Sequence, residues 1–174
     1  DFPPIVGGIS RYLYEIVNNM PADDVRVTAI SVPDYITFDS QQSFVIDRLR
    51  VPSKWESFKK QLKFLAPFFY QNLLGKRDIS LILCGQAHYS ILLPAWAMSR
   101  QRNIPFGVFT YGLDLLYPQT TIYRSLFNHM LREANVVFAD SSAAEQILFD
   151  LKVNKDRTEV IYPSVSNNID RVNS

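Results

Sequence analysis

Two adjacent glycines, Gly7 and Gly8, stand between the Pro3–Pro4 pair and an apolar-periodic stretch, "ISRYLYEIV". A helix that starts on glycine offers unpaired backbone N–H groups and the positive end of its dipole, which together favour an anion such as a diphosphate. With no Cβ in the way, a ligand can come close to the backbone itself. A glycine pair also opens many ordinary helices, so the chemistry depends on what stands nearby. Other reactive candidates are few: His88, His129 and a single cysteine, Cys84. One cysteine allows neither an internal disulfide nor a cysteine-based metal cluster; inside the apolar run "ISLILC" it reads as core. His129 falls within a helical pattern and reads as structural. Ser141 or Ser142 reads as the cap of "SAAEQILFDL", and no Gly-x-Ser-x-Gly elbow marks a nucleophile. No His, Asp and Glu group has metal-ligand spacing, so no metal is expected.

The elements that would position these groups alternate along the chain. Ile9, Tyr12, Leu13, Ile16 and Val17 follow helical spacing, and Pro21 ends that helix near Met20. "VRVTAISV" reads as a buried strand, a polar loop follows, and "FVIDRLRV" reads as a second strand. "ISLILC", short and wholly apolar, has the profile of a strand covered on both faces. "ILLPAWAMSRQ" reads as a helix, "PFGVFTYG" as a strand, "TIYRSLFNHMLREA" as a helix, "NVVFAD" as a strand and "RTEVIYP" as the last strand. Strand–helix alternation with short turns predicts an α/β fold, a Rossmann-like doubly wound and mostly parallel sheet. Ligands of such sheets lie at the carboxyl ends of the strands. The loops of interest are therefore "PPIVGG", "GQAHYS", "TYGLD" and "ADSS".

Composition supports a globular chain: 174 residues, 47% hydrophobic and 13% aromatic, enough for a sizeable core. A net charge of +1 gives no general pull toward nucleic acid. The charge is uneven, however. Between Arg48 and Arg77 there are eight basic residues and one acid, Glu56. The segment "KWESFKKQLKFLAPFFYQNLLGKR" lies within it, with Trp55, Phe58, Leu62, Leu65, Phe69 and Leu73 on one helical stripe and Pro67 bending or splitting it. Phe64 and Phe68 fall off that stripe. Together with Lys59, Lys60 and Lys63 they suit contact with an anionic membrane surface; the other reading is a helix packed on the sheet with solvated lysines. No apolar run is long enough to span a bilayer.

Four segments, in order, carry a family resemblance. "DFPPIVGGISRYLYEIV", "IPFGVFTYGLDLL", "ANVVFADSSAAEQIL" and "TEVIYPSV" resemble the successive strand–loop–helix units of family 4 retaining glycosyltransferases, enzymes of the two-domain GT-B fold. The resemblance implies that residues 1–165 form the N-terminal, acceptor-side domain and that 166–174 begin an interdomain linker or tail. A donor-binding C-terminal domain and the first strand, which precedes the glycine loop in the family, would lie outside this sequence. The slot of that strand is expected to be filled by another chain, a rearranged segment or further residues.

What the resemblance implies chemically is transfer of a sugar from a nucleotide-sugar to a glycan or lipid-linked acceptor, with retention at the anomeric carbon. The expected setting is cell-surface polysaccharide or glycolipid synthesis, in the cytoplasm or on the inner face of the membrane. The nucleotide-sugar is a co-substrate, and no cofactor is implied. Gly7 and Gly8 match the loop that approaches the diphosphate or transferred sugar. Tyr111-Gly112-Leu113-Asp114 matches the family's His-Gly-x-Asp turn, with tyrosine in the histidine position as the catalytic candidate of this half; its other reading is a packing aromatic. Gln86, His88, Tyr111 and Asp114 are the acceptor-side candidates, His88 being read alternatively as a loop histidine. The main catalytic residues belong to the C-terminal domain in the family, and a fragment lacking them is expected to be inactive. A non-catalytic module that binds a glycan or nucleotide is the rival reading.

Overall fold

The computed structural model describes residues 2–49 and 78–163. The basic aromatic segment, with Lys59, Lys60, Lys63, Phe64 and Phe68, lies outside the described residues, as does the stretch 166–174.

The chain opens with α1 (Gly8–Asn18), then β1 (Arg26–Ile30), a short α2 (Tyr35–Asp39) and β2 (Val45–Leu49). β3 (Ile82–Cys84), α3 (Tyr89–Arg102), β4 (Phe106–Thr110), α4 (Leu113–Leu116), α5 (Arg124–Glu133), β5 (Val136–Ala139), α6 (Ser142–Asp150) and β6 (Thr158–Val160) follow. Every pairing is parallel. β1 and β2 form a two-stranded sheet, with Arg26 opposite Val45 and Ile30 opposite Leu49. β3, β4, β5 and β6 form a second sheet in that order. Its register sets Cys84 beside Val108, Thr110 beside Ala139, and Ala139 beside Val160, so the carboxyl ends lie along one rim.

Strand alternation divides the larger sheet into two faces. Cys84, Val108, Val137 and Ala139 point to one side, where Leu92 and Met98 of α3, Phe127 and Met130 of α5 and Leu148 of α6 bury them. Phe109 and Phe138 point to the other side, stacked 4.7 Å apart, in a second cluster that holds Phe2, Leu13 of α1 and Phe44. Helices on both faces explain why all five residues of β4 are buried. The Trp96 indole N–H donates to Glu133 at 2.8 Å, and Arg100 pairs with the same carboxylate, locking α3 to α5. In the smaller sheet Arg48 is almost wholly buried. Its guanidinium pairs with Asp39 at 2.7 Å and donates to the Ile30 carbonyl at 3.0 Å. This member of the basic stretch is therefore a structural ion pair and no part of a solvated charge patch.

Three expectations change, the first being the buried strand expected at "VRVTAISV": none of the five residues of β1 is fully buried. The polar loop before β2 contains α2, a helix of five residues that buries none of its side chains fully. β3 is not covered on both faces, because Leu81 and Leu83 are 47% and 37% exposed. Among the described residues β3 has β4 as its one neighbour, and the face bearing Leu83 opens onto a groove beside α1. The apolar run predicted burial from composition alone, whereas exposure depends on what packs over each face.

Candidate functional site

The glycine pair lies at the rim where the strands end. Gly7 has extended backbone, α1 begins at Gly8, and no side chain among the described residues caps it. A Cβ at either glycine would meet nothing within 4 Å, so the first-turn amides are approachable from outside. Ser10, in that turn, is buried, and its hydroxyl has no hydrogen-bond partner among the described residues. One turn into α1, Tyr12 meets Phe109 and Tyr111 edge-on at 6.2 and 6.3 Å between ring centres. Leu13 packs so closely on Gly85 that a Cβ there would stand 2.7 Å from Leu13 Cδ1. The start of α1 is thereby held beside the loops that follow β3 and β4.

Those two loops are tied to each other. Gly112, at φ 80, takes a left-handed conformation that favours glycine and turns the chain from β4 into α4. The turn aims Asp114 backward: one carboxylate oxygen accepts from the Tyr111 N–H at 2.9 Å, and the other accepts from the Ala87 N–H at 3.1 Å. The Tyr111 hydroxyl donates to the Gly85 carbonyl at 3.2 Å. Asp114 and Tyr111 thus link the "TYGLD" loop to the "GQAHYS" loop, and Gln86 sits between the two tie points. Burial pushes the Asp114 carboxyl up against the pull of its amide donors. Burial also raises Tyr111, with the neighbouring Tyr12, Asp114 and Asp140 adding to it. A phenol held neutral, with its proton on a carbonyl, can accept a hydrogen bond but is no base.

His88 caps α3. Its Nδ1 accepts from the Ser90 N–H and lies 2.7 Å from Ser90 Oγ; burial lowers its pKa, so the neutral ring is favoured. This fixes the ring at the head of α3, within the same tied loop. Ser141 caps α6, accepting from the Ala144 N–H at 3.2 Å, and Cys84 is buried with its thiol pushed up to about 12. His129 is on the exposed face of α5, 3.6 Å from Glu133.

Sequence reasoning missed Asp140. It directly follows β5, donating its N–H to the Thr110 carbonyl and accepting from Ser141 Oγ at 2.9 Å. Its negative charge adds to the upward shifts of Tyr12, Tyr111 and Asp114, which places it among the same group. Its signal in the sequence is the acid of "ADSS", directly before the cap of α6. The rim therefore brings together a helix start with accessible amides, two carboxylates and a neutral phenol. That set can hold an anion on backbone and hydroxyl groups on Asp140. Beside it runs a groove of about 550 Å³ between α1 and the Phe109–Phe138 face. Among the described residues no three potential metal ligands of the His, Cys, Asp and Glu types come together.

The sequence model described as Glycosyltransferase Family 4 matches residues 6–168, nearly the whole chain. The chain belongs to glycosyltransferase family 4. Solved structures agree on the fold. The crystal structure of Anabaena HepE in complex with UDP and glucose superposes with a TM-score of 0.65 at 16% identity, over 95% of this chain and 44% of that one. HepE in complex with UDP-glucose matches with the same TM-score at 17% identity, over 95% and 43%. At that identity the likeness is one of fold, the Rossmann-like half of a GT-B architecture. This family 4 chain spans less than half the length of those relatives. No curated protein matches it in sequence.

Proposed function

We propose that this chain is the acceptor-side, N-terminal domain of a retaining glycosyltransferase that moves a sugar from a nucleotide-sugar to a glycan or lipid-linked acceptor. The observation that carries the reading is the shared rim: the open glycine start of α1 lies beside the tied loops of Tyr111, Asp114 and Gln86. Backbone amides at Gly8 and the first turn of α1 meet the diphosphate or the departing sugar and stabilise negative charge that develops there. Asp114 and Tyr111 act by fixing the two loops, while Gln86 and His88 stand on the acceptor side of that frame. Tyr111 takes the histidine position of the family turn as a neutral hydrogen-bonding group. The remaining catalytic groups belong to a second domain that closes over this rim. Structures of HepE with UDP and UDP-glucose make a uridine diphosphate sugar the first donor to try. Polysaccharide or glycolipid assembly on the cytoplasmic side of a membrane is the setting in which such an acceptor is met.

Full-length protein incubated with a panel of nucleotide-sugars and lipid-linked or free glycan acceptors tests this. The anomeric proton of the newly formed glycosidic bond, read by NMR, is expected to keep the donor's configuration. An inverted product contradicts the retaining mechanism. Nucleotide-sugar binding without transfer to any acceptor favours the non-catalytic module.

A further inference from the structure

We propose that Arg48 is a positioning residue for the glycine start of α1, holding in place the loop that leads into it. Arg48 is the fourth of five residues in β2, near the carboxyl end of the smaller sheet, and its side chain is 4% exposed. The short helix α2 serves this guanidinium. Tyr35 and Asp39, four positions apart, share a helix face. The Tyr35 ring centre lies 5.7 Å from the guanidinium carbon, and the Asp39 carboxylate accepts from Nε at 3.0 Å and from Nη2 at 2.7 Å. That two-point pairing fixes the plane of the fork. With the plane set, Nη1 donates to the Ile30 carbonyl at the end of β1, and Nη2 donates to the Pro3 carbonyl. One side chain thus joins β1, β2, α2 and the glycine loop.

The loop has little else to hold it. Phe2 is buried against Tyr14, Phe38 and Phe44, but exposure rises beyond Pro3. Val6 is 99% exposed, and both glycines are exposed. Among the described residues, the contact of Arg48 with the Pro3 carbonyl is the one hydrogen bond that any side chain makes to residues 2–8. Ordering two adjacent glycines costs more backbone entropy than ordering other residues, so their place at the rim depends on what anchors the loop. A lysine carries the same charge on one nitrogen and cannot span acceptors on three segments. Arg48→Lys therefore keeps the pair with Asp39 and loses the Pro3 carbonyl. The effect on turnover rests on the sugar-transfer reading of this site, whereas the tie itself is read without activity.

Amide hydrogen exchange and turnover of the full-length protein decide it. The Arg11 N–H, bonded to the Gly7 carbonyl at 3.0 Å, closes the first turn of α1. Arg48→Lys is expected to speed exchange of that amide about tenfold or more, while the amides of β4 and β5 keep the wild-type rate. Its turnover of a nucleotide-sugar should fall about tenfold to a hundredfold with the acceptor KM unchanged. Added to Gly8→Val, the same change should cost less than about threefold, because both act on the same amides. A general loss of stability would lower both backgrounds alike. Asp39→Asn, at a side chain 20% exposed, loosens the fork and should speed Arg11 exchange about threefold; it carries the test if Arg48→Lys does not fold. Wild-type exchange at Arg11 in either folded variant overturns the proposal, as do losses that multiply in full in the double variant. A wild type that transfers no sugar counts against the transferase reading alone, and the exchange rates still decide the tie.

Discussion

His88 does its structural work through one ring nitrogen, and that gives it a signature in pH. Its Nδ1 caps α3 as an acceptor from Ser90, a role open to the neutral ring, and burial holds its folded pKa below the ordinary value of 6.5. The unfolded chain therefore takes up the proton first as pH falls. Its contribution to stability is fully present above about 6.5, is lost as pH drops from there toward the folded value, and changes no further below it. His88→Asn keeps a capping oxygen and removes the titration. Melting temperature measured between about pH 7 and pH 5 should fall more steeply for the wild type than for the variant. Parallel curves would show that the ring does not feel its burial. Asp140 belongs to the same scale: nothing in residue type or spacing separates an acid facing Tyr111 from an acid facing water, and only the register of β5 against β4 brings it there.

Helices and strands explain why most of the architecture was legible. α1, α3, α5 and α6 have nine or more residues each, long enough for a helical period to show, and the Ser141–Ser142 pair announced the cap that the structure gives to Ser141. β4 and β5 were legible as apolar runs bounded by turns. α2 and α4, with five and four residues, are shorter than the window in which periodicity speaks, so they were read as loop. Exposure of Leu81 and Leu83 was hidden for a different reason, since a strand's neighbours are not written in its own residues. The contact between α1 and the loop after β3 was equally silent: a Cβ on Gly85 would meet the side chain of Leu13, far away in sequence. Gly85→Ala should destabilise by about 1–3 kcal/mol, because its Cβ would press on Leu13. Combined with Leu13→Ala, which opens space, the loss should be clearly smaller than the sum of the two single losses. Denaturant unfolding of the four proteins measures this coupling, and strict additivity would mean that α1 does not sit on the loop after β3.

Among the described residues the chain forms two parallel sheets, and the candidate groups gather at the carboxyl ends of the larger one. Family membership follows from the match over 6–168, and the sequence already carried it in four ordered segments. Which residues share the rim followed from the doubly wound topology, which sends every carboxyl end to the same side. What the sequence withheld was the way the rim is fastened. Asp114 holds amides from two loops and Tyr111 closes onto Gly85, so two residues read as acceptor contacts also serve as ties. The basic aromatic segment carries the membrane reading in sequence and lies outside the described residues. The proposed transfer depends on the glycine start of α1 receiving phosphate or sugar oxygens. The most direct measurement compares nucleoside diphosphate release by full-length wild type and Gly8→Val at saturating acceptor. Space around Gly8 is open, so the variant should fold with an unchanged melting temperature. Its turnover should drop by about tenfold to a hundredfold, the worth of a lost hydrogen bond to a charged group. A correctly folded Gly8→Val enzyme that releases the diphosphate at the wild-type rate would contradict it.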